Sequence, residues 1–326
     1  MFALINPVPA EAHIAGGGGS PTDYRAAVTS IRPASSAVEV TVGIGGQWVR
    51  VTNRGAAQVV VLGDQGEPFL QLAGDQVQVN ELSATAADSG LVPRAAPAKN
   101  PATGLRWVPR SDGDRASWAD PRLAPPGTGE SASWELPLIV DGQQVTVLGT
   151  VDRVPAPWWW AWVAALVLLL AAVSALGWVR NWRRSMAAVV TVGVLAFVLH
   201  LLGTGFAPQG NGALFAWIGI GAVGGFALLI GAVAVLSTVR GKASAPERIV
   251  MAGIMVLVLA ATDITVLWNS QLPFGGPAAL DRALTVLTYA TALGMLVAGV
   301  RLVRRQRQAS AEAGAAGTLA PGTVSG

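Results

Sequence analysis

His13 and His200 are the only imidazoles in the 326 residues, and cysteine is absent. Disulfide frameworks, thiolate metal sites and Cys nucleophiles are therefore excluded. The N-terminal half holds no histidine beyond His13, so a Ser-His-Asp triad cannot be assembled there. His13 itself follows Ala10-Glu11-Ala12, whose small residues suit a signal-peptidase site. A free α-amine beside an imidazole chelates Cu(II) in a tetragonal arrangement. A histidine brace would need a second imidazole, leaving Asp23, acids of neighbouring loops or a partner's histidine to complete the site. Gly16–Gly19 has no strand before it and no Gly-Lys-Ser after it, which argues for a turn into Pro21 and against a phosphate cradle.

His200 and Asp263 suggest a different chemistry. Each lies in a long apolar run, fifteen positions beyond Ser185 and Arg248 respectively. At ~1.5 Å per helical residue both fall ~22 Å from a basic flank, so they share a level. Thr288 and Tyr289 on the last apolar run reach about the same depth. Ionisable groups inside a bilayer are functional candidates, as a proton or metal relay, or they hold helices together as polar glue. A single ionisable layer makes a poor path across a membrane.

The segments that must position these residues follow from hydropathy. Hydrophobic residues make up 52% of the chain and charged ones 13%, about half the ~25% of a soluble domain. Beyond Val154-Pro155-Ala156-Pro157 five apolar runs are long enough to cross a hydrocarbon core: Trp158–Val179, Met186–Gly203, Ala213–Leu236, Ile249–Trp268 and Arg282–Val300. Ten of the eleven Lys and Arg beyond residue 157 flank one side of these runs, and Arg282 opens the fifth. The opposite loops, Thr204–Gly212 and Asn269–Asp281, carry none. The positive-inside rule puts the C-terminus in the cytosol and the N-terminal half outside a plasma membrane. Trp158, Trp159, Trp160 and Trp162 suit an outer aromatic belt, Trp178 and Trp182 an inner one. The excess of basic charge is topological, and nucleic acid is not an expected partner.

Export of an N-terminal domain needs a signal, so residues 1–12 are expected to be the remnant of one whose start lies upstream, with the mature chain beginning at His13. Residues 13–154 read as an all-β extracytoplasmic sandwich. Val38, Val40, Val42 and Ile44 alternate, and further strands are expected at Gln47–Thr52, Gln58–Leu62, Pro68–Leu72, Gln76–Leu82, Leu105–Pro109, Trp134–Val140 and Gln143–Val151. Asp141-Gly142 is a two-residue hairpin signal. Ala84–Gly104 and Asp120–Ser131 read as long loops. The five-span bundle covers 155–307, and the tail, 308–326, is expected to be disordered.

Several stretches resemble a family of actinobacterial polytopic membrane proteins: His13-Ile14-Ala15-Gly16-Gly17-Gly18-Gly19-Ser20-Pro21-Thr22-Asp23-Tyr24-Arg25, Val51-Thr52-Asn53-Arg54-Gly55, Val59–Gly63 with Gly66-Glu67-Pro68-Phe69-Leu70, and Ser270-Gln271-Leu272-Pro273. Such proteins begin, when mature, at a histidine and are often associated with copper-handling envelope proteins of the YcnI-like and CopC-like kinds. They tend to carry a run of the form W-H-D-H-R-x-H-W in the outer domain. Here the run is Trp118-Ala119-Asp120-Pro121-Arg122-Leu123-Ala124-Pro125, and the pattern's histidines fall on Ala119, Pro121 and Ala124. Asp120 alone is a weak, hard donor for copper. The resemblance implies a non-enzymatic accessory or interaction module linked to copper handling, with a depleted metal site. Its partners would be the bilayer and another envelope or membrane protein. The alternatives are a copper carrier using His13, and a small transporter or proton relay using His200 and Asp263.

Overall fold

The computed structural model describes residues 19–92, 104–127, 129–207 and 213–318. The chain divides into a unit of 1–157 with 205–216 and 269–275, and a second of 158–204, 217–268 and 276–326.

The first unit is built on ten strands in two antiparallel sheets. They are β1 (Tyr24–Arg32), β2 (Val38–Val42), β3 (Val49–Asn53), β4 (Val59–Leu62), β5 (Pro68–Ala73), β6 (Gln76–Asn80), β7 (Trp107–Asp112), β8 (Arg115–Trp118), β9 (Ser131–Val140) and β10 (Gln143–Arg153). One sheet has the order β1-β10-β9-β4-β5-β6-β7 and the other β2-β3-β8. Alternating valines and leucines turn inward along several strands: Val49 and Val51 from β3, Leu136 and Leu138 from β9, Val145 and Val147 from β10. The two sheets share one apolar core. Phe69 and Trp118 meet edge-on within it, centroids 5.4 Å apart.

The β9–β10 hairpin turns at Asp141 and Gly142, both with positive φ (47° and 80°), the backbone that two-residue hairpins require. Gly149 in β10 is a close approach. A Cβ there would lie 2.2 Å from the Trp134 ring and 2.4 Å from the Ala27 carbonyl oxygen. Two strands escape sequence reading. β1 has an alanine-rich, weakly alternating sequence with a bulge between Val28 and Ser30, and β8 is only four residues long. The expected loop from Ala84 begins instead with a short helix, α1 (Ala84–Asp88), whose N-cap is Ser83.

The second unit is helical: α2 (Trp159–Ala175), α3 (Trp182–Gly205), α4 (Ala213–Val239), α5 (Ala245–Leu259) and α6 (Ala278–Thr318). Four helical stretches are long and apolar enough to cross a membrane: Trp159–Trp178, Trp182–Gly205, Leu214–Val239 and Ala278–Glu312. Leu168 on α2 and Leu229 on α4 stay 72% and 62% exposed, so these helices turn large apolar side chains outward. Elsewhere small residues let backbones approach. A Cβ at Gly253 of α5 would lie 2.7 Å from the Ala292 carbonyl of α6.

Two expectations are corrected. Ile249–Trp268 is not one helix. α5 ends at Leu259, and after a turn the chain continues as a 3-10 segment, Asp263–Leu267. The polar run Thr262-Asp263 interrupts the apolar sequence, and α6 satisfies the carbonyls released by the break. The Tyr289 hydroxyl donates to the Ala260 oxygen, and Arg282 Nε donates to the Val266 oxygen at 3.1 Å. In addition, residues 308–318 of the tail continue α6 as helix, in keeping with their Ala, Gln and Glu content.

Candidate functional site

Three segments of the helical unit bring ionisable side chains together. His200 lies near the end of α3, Asp281 in the first turn of α6, and Asp263 at the start of the 3-10 segment. His200 Nδ1 is 2.6 Å from Asp281 Oδ1, and Nε2 is 3.4 Å from Asp263 Oδ2. The His200 and Asp281 side chains are 5% and 1% exposed, and that of Asp263 is 17%. Arg282 is also buried, anchored on the Val266 carbonyl.

The expected His200–Asp263 pair is thus present as the longer half of a three-member chain. Tyr289 sits at the break in α5, bonded to backbone. Thr288 stays outside the cluster, its hydroxyl donating 2.8 Å to Leu284 of its own helix. Hydropathy does not single out Asp281 or Arg282 as site residues, because the fifth apolar run begins only at Arg282 and leaves Asp281 in the preceding loop. Pro277, just ahead of the observed helix, is the signal that would have moved the start back and put Asp281 in a first turn. Thr285 lies between Asp281 and Tyr289 at helical spacing; its hydroxyl is buried, without a partner among the described residues.

An imidazolium at residue 200 donates one hydrogen bond to each carboxylate. A neutral ring carries one N–H, so one carboxylate must then hold a proton itself to keep both contacts. The arrangement suits proton exchange or a charge-assisted clamp between helices. It does not suit a metal. The two carboxylates face opposite edges of the ring, and no group of three or more His, Cys, Asp or Glu among the described residues is arranged to hold an ion.

In the sheet domain Trp118, Asp120 and Arg122 form a closed clasp. Asp120 Oδ2 accepts from Trp118 Nε1 at 2.9 Å and from Arg122 Nη2 at 2.7 Å. Its Oδ1 accepts from Arg122 Nε at 2.9 Å and from the Arg122 backbone N–H at 3.0 Å, capping the 3-10 turn Pro121–Leu123. Burial pulls the Arg122 guanidinium down, but the hydrogen bond and charge of Asp120 more than restore it, leaving it above its usual value. Every lone-pair direction of Asp120 is occupied by protein, so it has none to offer a metal.

Two distant stretches of this unit also meet. Thr22 and Gln271 exchange backbone bonds of 3.0 and 2.8 Å, and Asp23 Oδ1 accepts from the Ser270 N–H at 2.9 Å. Asp23 thus gives one of its two carboxylate oxygens to Ser270. Glu67 is fully buried and accepts from the hydroxyls of Ser83 (2.7 Å) and Thr85 (2.8 Å). His13 and Gly16–Gly18 lie outside the described residues. No family model, curated protein or solved structure matches this chain.

Proposed function

We propose that the chain is a multi-pass plasma-membrane protein and a non-enzymatic accessory or interaction module, linked to copper handling through the resemblance above. Its five membrane segments would be α2, α3, α4, α5 with Asp263–Leu267, and α6. The β-sandwich would face outside and the C-terminus the cytosol. Four long apolar helices with outward-facing leucines and the one-sided arginines support this topology.

The observation that carries the accessory role is the Trp118–Asp120–Arg122 clasp. Where the resembling family holds imidazoles, this domain spends its remaining polar residues on its own structure, which favours display to another envelope protein over metal chemistry. The test is copper tolerance of a host lacking the gene. Tolerance should change on deletion and return with the wild-type chain, and equally with His13→Ala. Failure of His13→Ala alone would replace this reading with the copper carrier; no change on deletion would remove the copper link. For topology, reporter fusions after residue 150 should read outside, and after residues 243 and 310 inside.

A second reading, a proton relay, is favoured by the placement of a carboxylate at each ring nitrogen of His200. The cluster is one layer deep and near the ends of α3 and α6, which favours a clamp. Full-length protein in liposomes decides: a relay predicts proton flux that His200→Ala abolishes, and a clamp predicts no flux in either.

A further inference from the structure

At the opposite, arginine-rich end of the helical unit a cavity of about 670 Å³ opens between Trp178 and the later turns of α6. Its lining includes Val297, Val300, Arg301, Arg304 and Arg305. On a helix these positions recur every three to four residues and share one stripe, apolar first and cationic after. The Arg301 guanidinium lies over the Trp178 ring, its carbon 3.8 Å from the centroid. Arg301 Nε is buried and has no acceptor among the described residues. None of the described lining residues is acidic. A second cavity of about 420 Å³ shares Arg305 and adds Arg183 and Lys242.

Three arginines gathered within two turns repel one another, and a buried N–H without an acceptor is costly. Both costs are relieved by an anion with several acceptor oxygens. Beside the cationic rim, Val297 and Val300 form an exposed apolar wall, 49% and 41% accessible. A phosphate oxygen cluster joined to an acyl chain fits both parts, whereas a free anion uses only one. Basic pockets among helices on the cytoplasmic side are the recurrent form of anionic-lipid sites.

We propose that this cavity is a binding site for the phosphodiester headgroup of an anionic phospholipid. Arg301, Arg304 and Arg305 hold the phosphate, Trp178 fixes Arg301, and an acyl chain lies along Val297 and Val300. The site rests on the membrane reading, which is tested separately: the protein should resist alkaline carbonate extraction from phosphatidylcholine vesicles whatever its lipid preference.

The deciding experiment is native mass spectrometry of the full-length protein in detergent with added dioleoyl phosphatidylglycerol or phosphatidylcholine. Retained phosphatidylglycerol should exceed phosphatidylcholine by roughly tenfold or more, since each surface arginine is worth about fivefold toward an anionic lipid. Arg304→Gln with Arg305→Gln should remove most of that preference, and Arg184→Gln, an exposed charge outside the cavity, should leave it intact. Equal losses from both variants would mean a diffuse basic belt and overturn the site. Displacement of the lipid by millimolar glycerol phosphate would overturn the lipid assignment in favour of a soluble phosphate ester. Trp178→Leu, which removes the platform without a charge, should weaken retention about threefold by loss of the cation–π contact; unchanged retention would remove Trp178 from the site.

Discussion

Both halves of this protein bury acidic side chains, but they neutralise them differently. In the sheet domain Glu67 and Asp120 are closed by near neighbours: Ser83 and Thr85 follow Glu67 by fewer than twenty residues, and Trp118 and Arg122 flank Asp120 by two. In the helical unit Asp263 and Asp281 meet the two ring nitrogens of His200, sixty-three and eighty-one residues away in sequence. The carboxylates of the sheet domain draw their hydrogen bonds from hydroxyls, an indole, a guanidinium and backbone amides, donors that keep their protons across the ordinary pH range. A carboxylate met by an imidazole depends on the ring's own proton. The first arrangement is fixed polar structure; the second can change state.

The largest test of that contrast is removal of the shared ring. His200→Ala leaves two carboxylates facing each other in a buried pocket, and breaking a buried pair in this way costs about 3–5 kcal/mol. Melting of the full-length protein in detergent should fall accordingly. The triple change His200→Leu, Asp263→Leu and Asp281→Leu removes the ring and both carboxylates together but leaves the buried Arg282 beside them, and should recover part of the loss. If the triple variant is no more stable than His200→Ala, the three side chains do not act as a unit.

The same contrast explains what the sequence disclosed. His200 and Asp263 stood out because ionisable residues are rare in apolar runs, and counting helical rise put them at one level. Helical rise holds only for an unbroken helix, and the break after Leu259 moves Asp263 off that count while still leaving it beside His200. Asp281 was hidden by a helix start one turn earlier than the apolar run implied. In the sheet domain, alternation exposed the long valine-rich strands and Asp141-Gly142 announced its hairpin. β1 and β8 lacked such patterns because tertiary pairing, not local sequence, makes them strands. The Asp120 clasp was invisible for the opposite reason. Its members were noticed for the histidines missing between them, and their mutual geometry could come only from the 3-10 turn.

Glu67 sharpens the comparison at intermediate cost. Glu67→Gln keeps the shape but presents an amide N–H₂ to groups that are themselves donors, including the Gln65 N–H at 3.1 Å. A loss of about 1–3 kcal/mol at neutral pH is expected. Burial alone would raise this carboxyl, but the hydrogen bonds from Ser83 and Thr85 more than offset it and hold it below the ordinary value of 4.5. A depressed carboxyl contributes its full stability above the unfolded value and loses it as pH falls through the folded one. The wild-type sheet domain should therefore lose stability as pH falls below about 4.5, while Glu67→Gln shows a smaller acid dependence. Identical slopes in the two proteins, followed by tryptophan fluorescence, would show that Glu67 is not an ionised acceptor.

The smallest effect belongs to a pair that neither half needs. Arg54 and Glu39 form an ion pair across β2 and the end of β3, with side chains 58% and 43% exposed. Water screens both charges, and holding two long side chains in one geometry costs entropy that the weak attraction barely offsets. Arg54→Ala should change stability by about 0.5 kcal/mol or less, and added salt should erase even that. This matters because Arg54 belongs to Val51-Thr52-Asn53-Arg54-Gly55, one of the stretches that carry the resemblance. In the same stretch Asn53 is buried, with Nδ2 donating to the Ala57 oxygen at 2.6 Å and Oδ1 accepting from the Gly55 N–H at 3.2 Å. Asn53→Ala should therefore exceed Arg54→Ala severalfold, because it removes a buried side chain and both of its backbone hydrogen bonds, while the arginine change removes only an exposed ion pair. Were Arg54→Ala the costlier of the two, Arg54 would have to be held by more than its partner on β2, and the distinction between buried and exposed polar pairs drawn for this domain would fail.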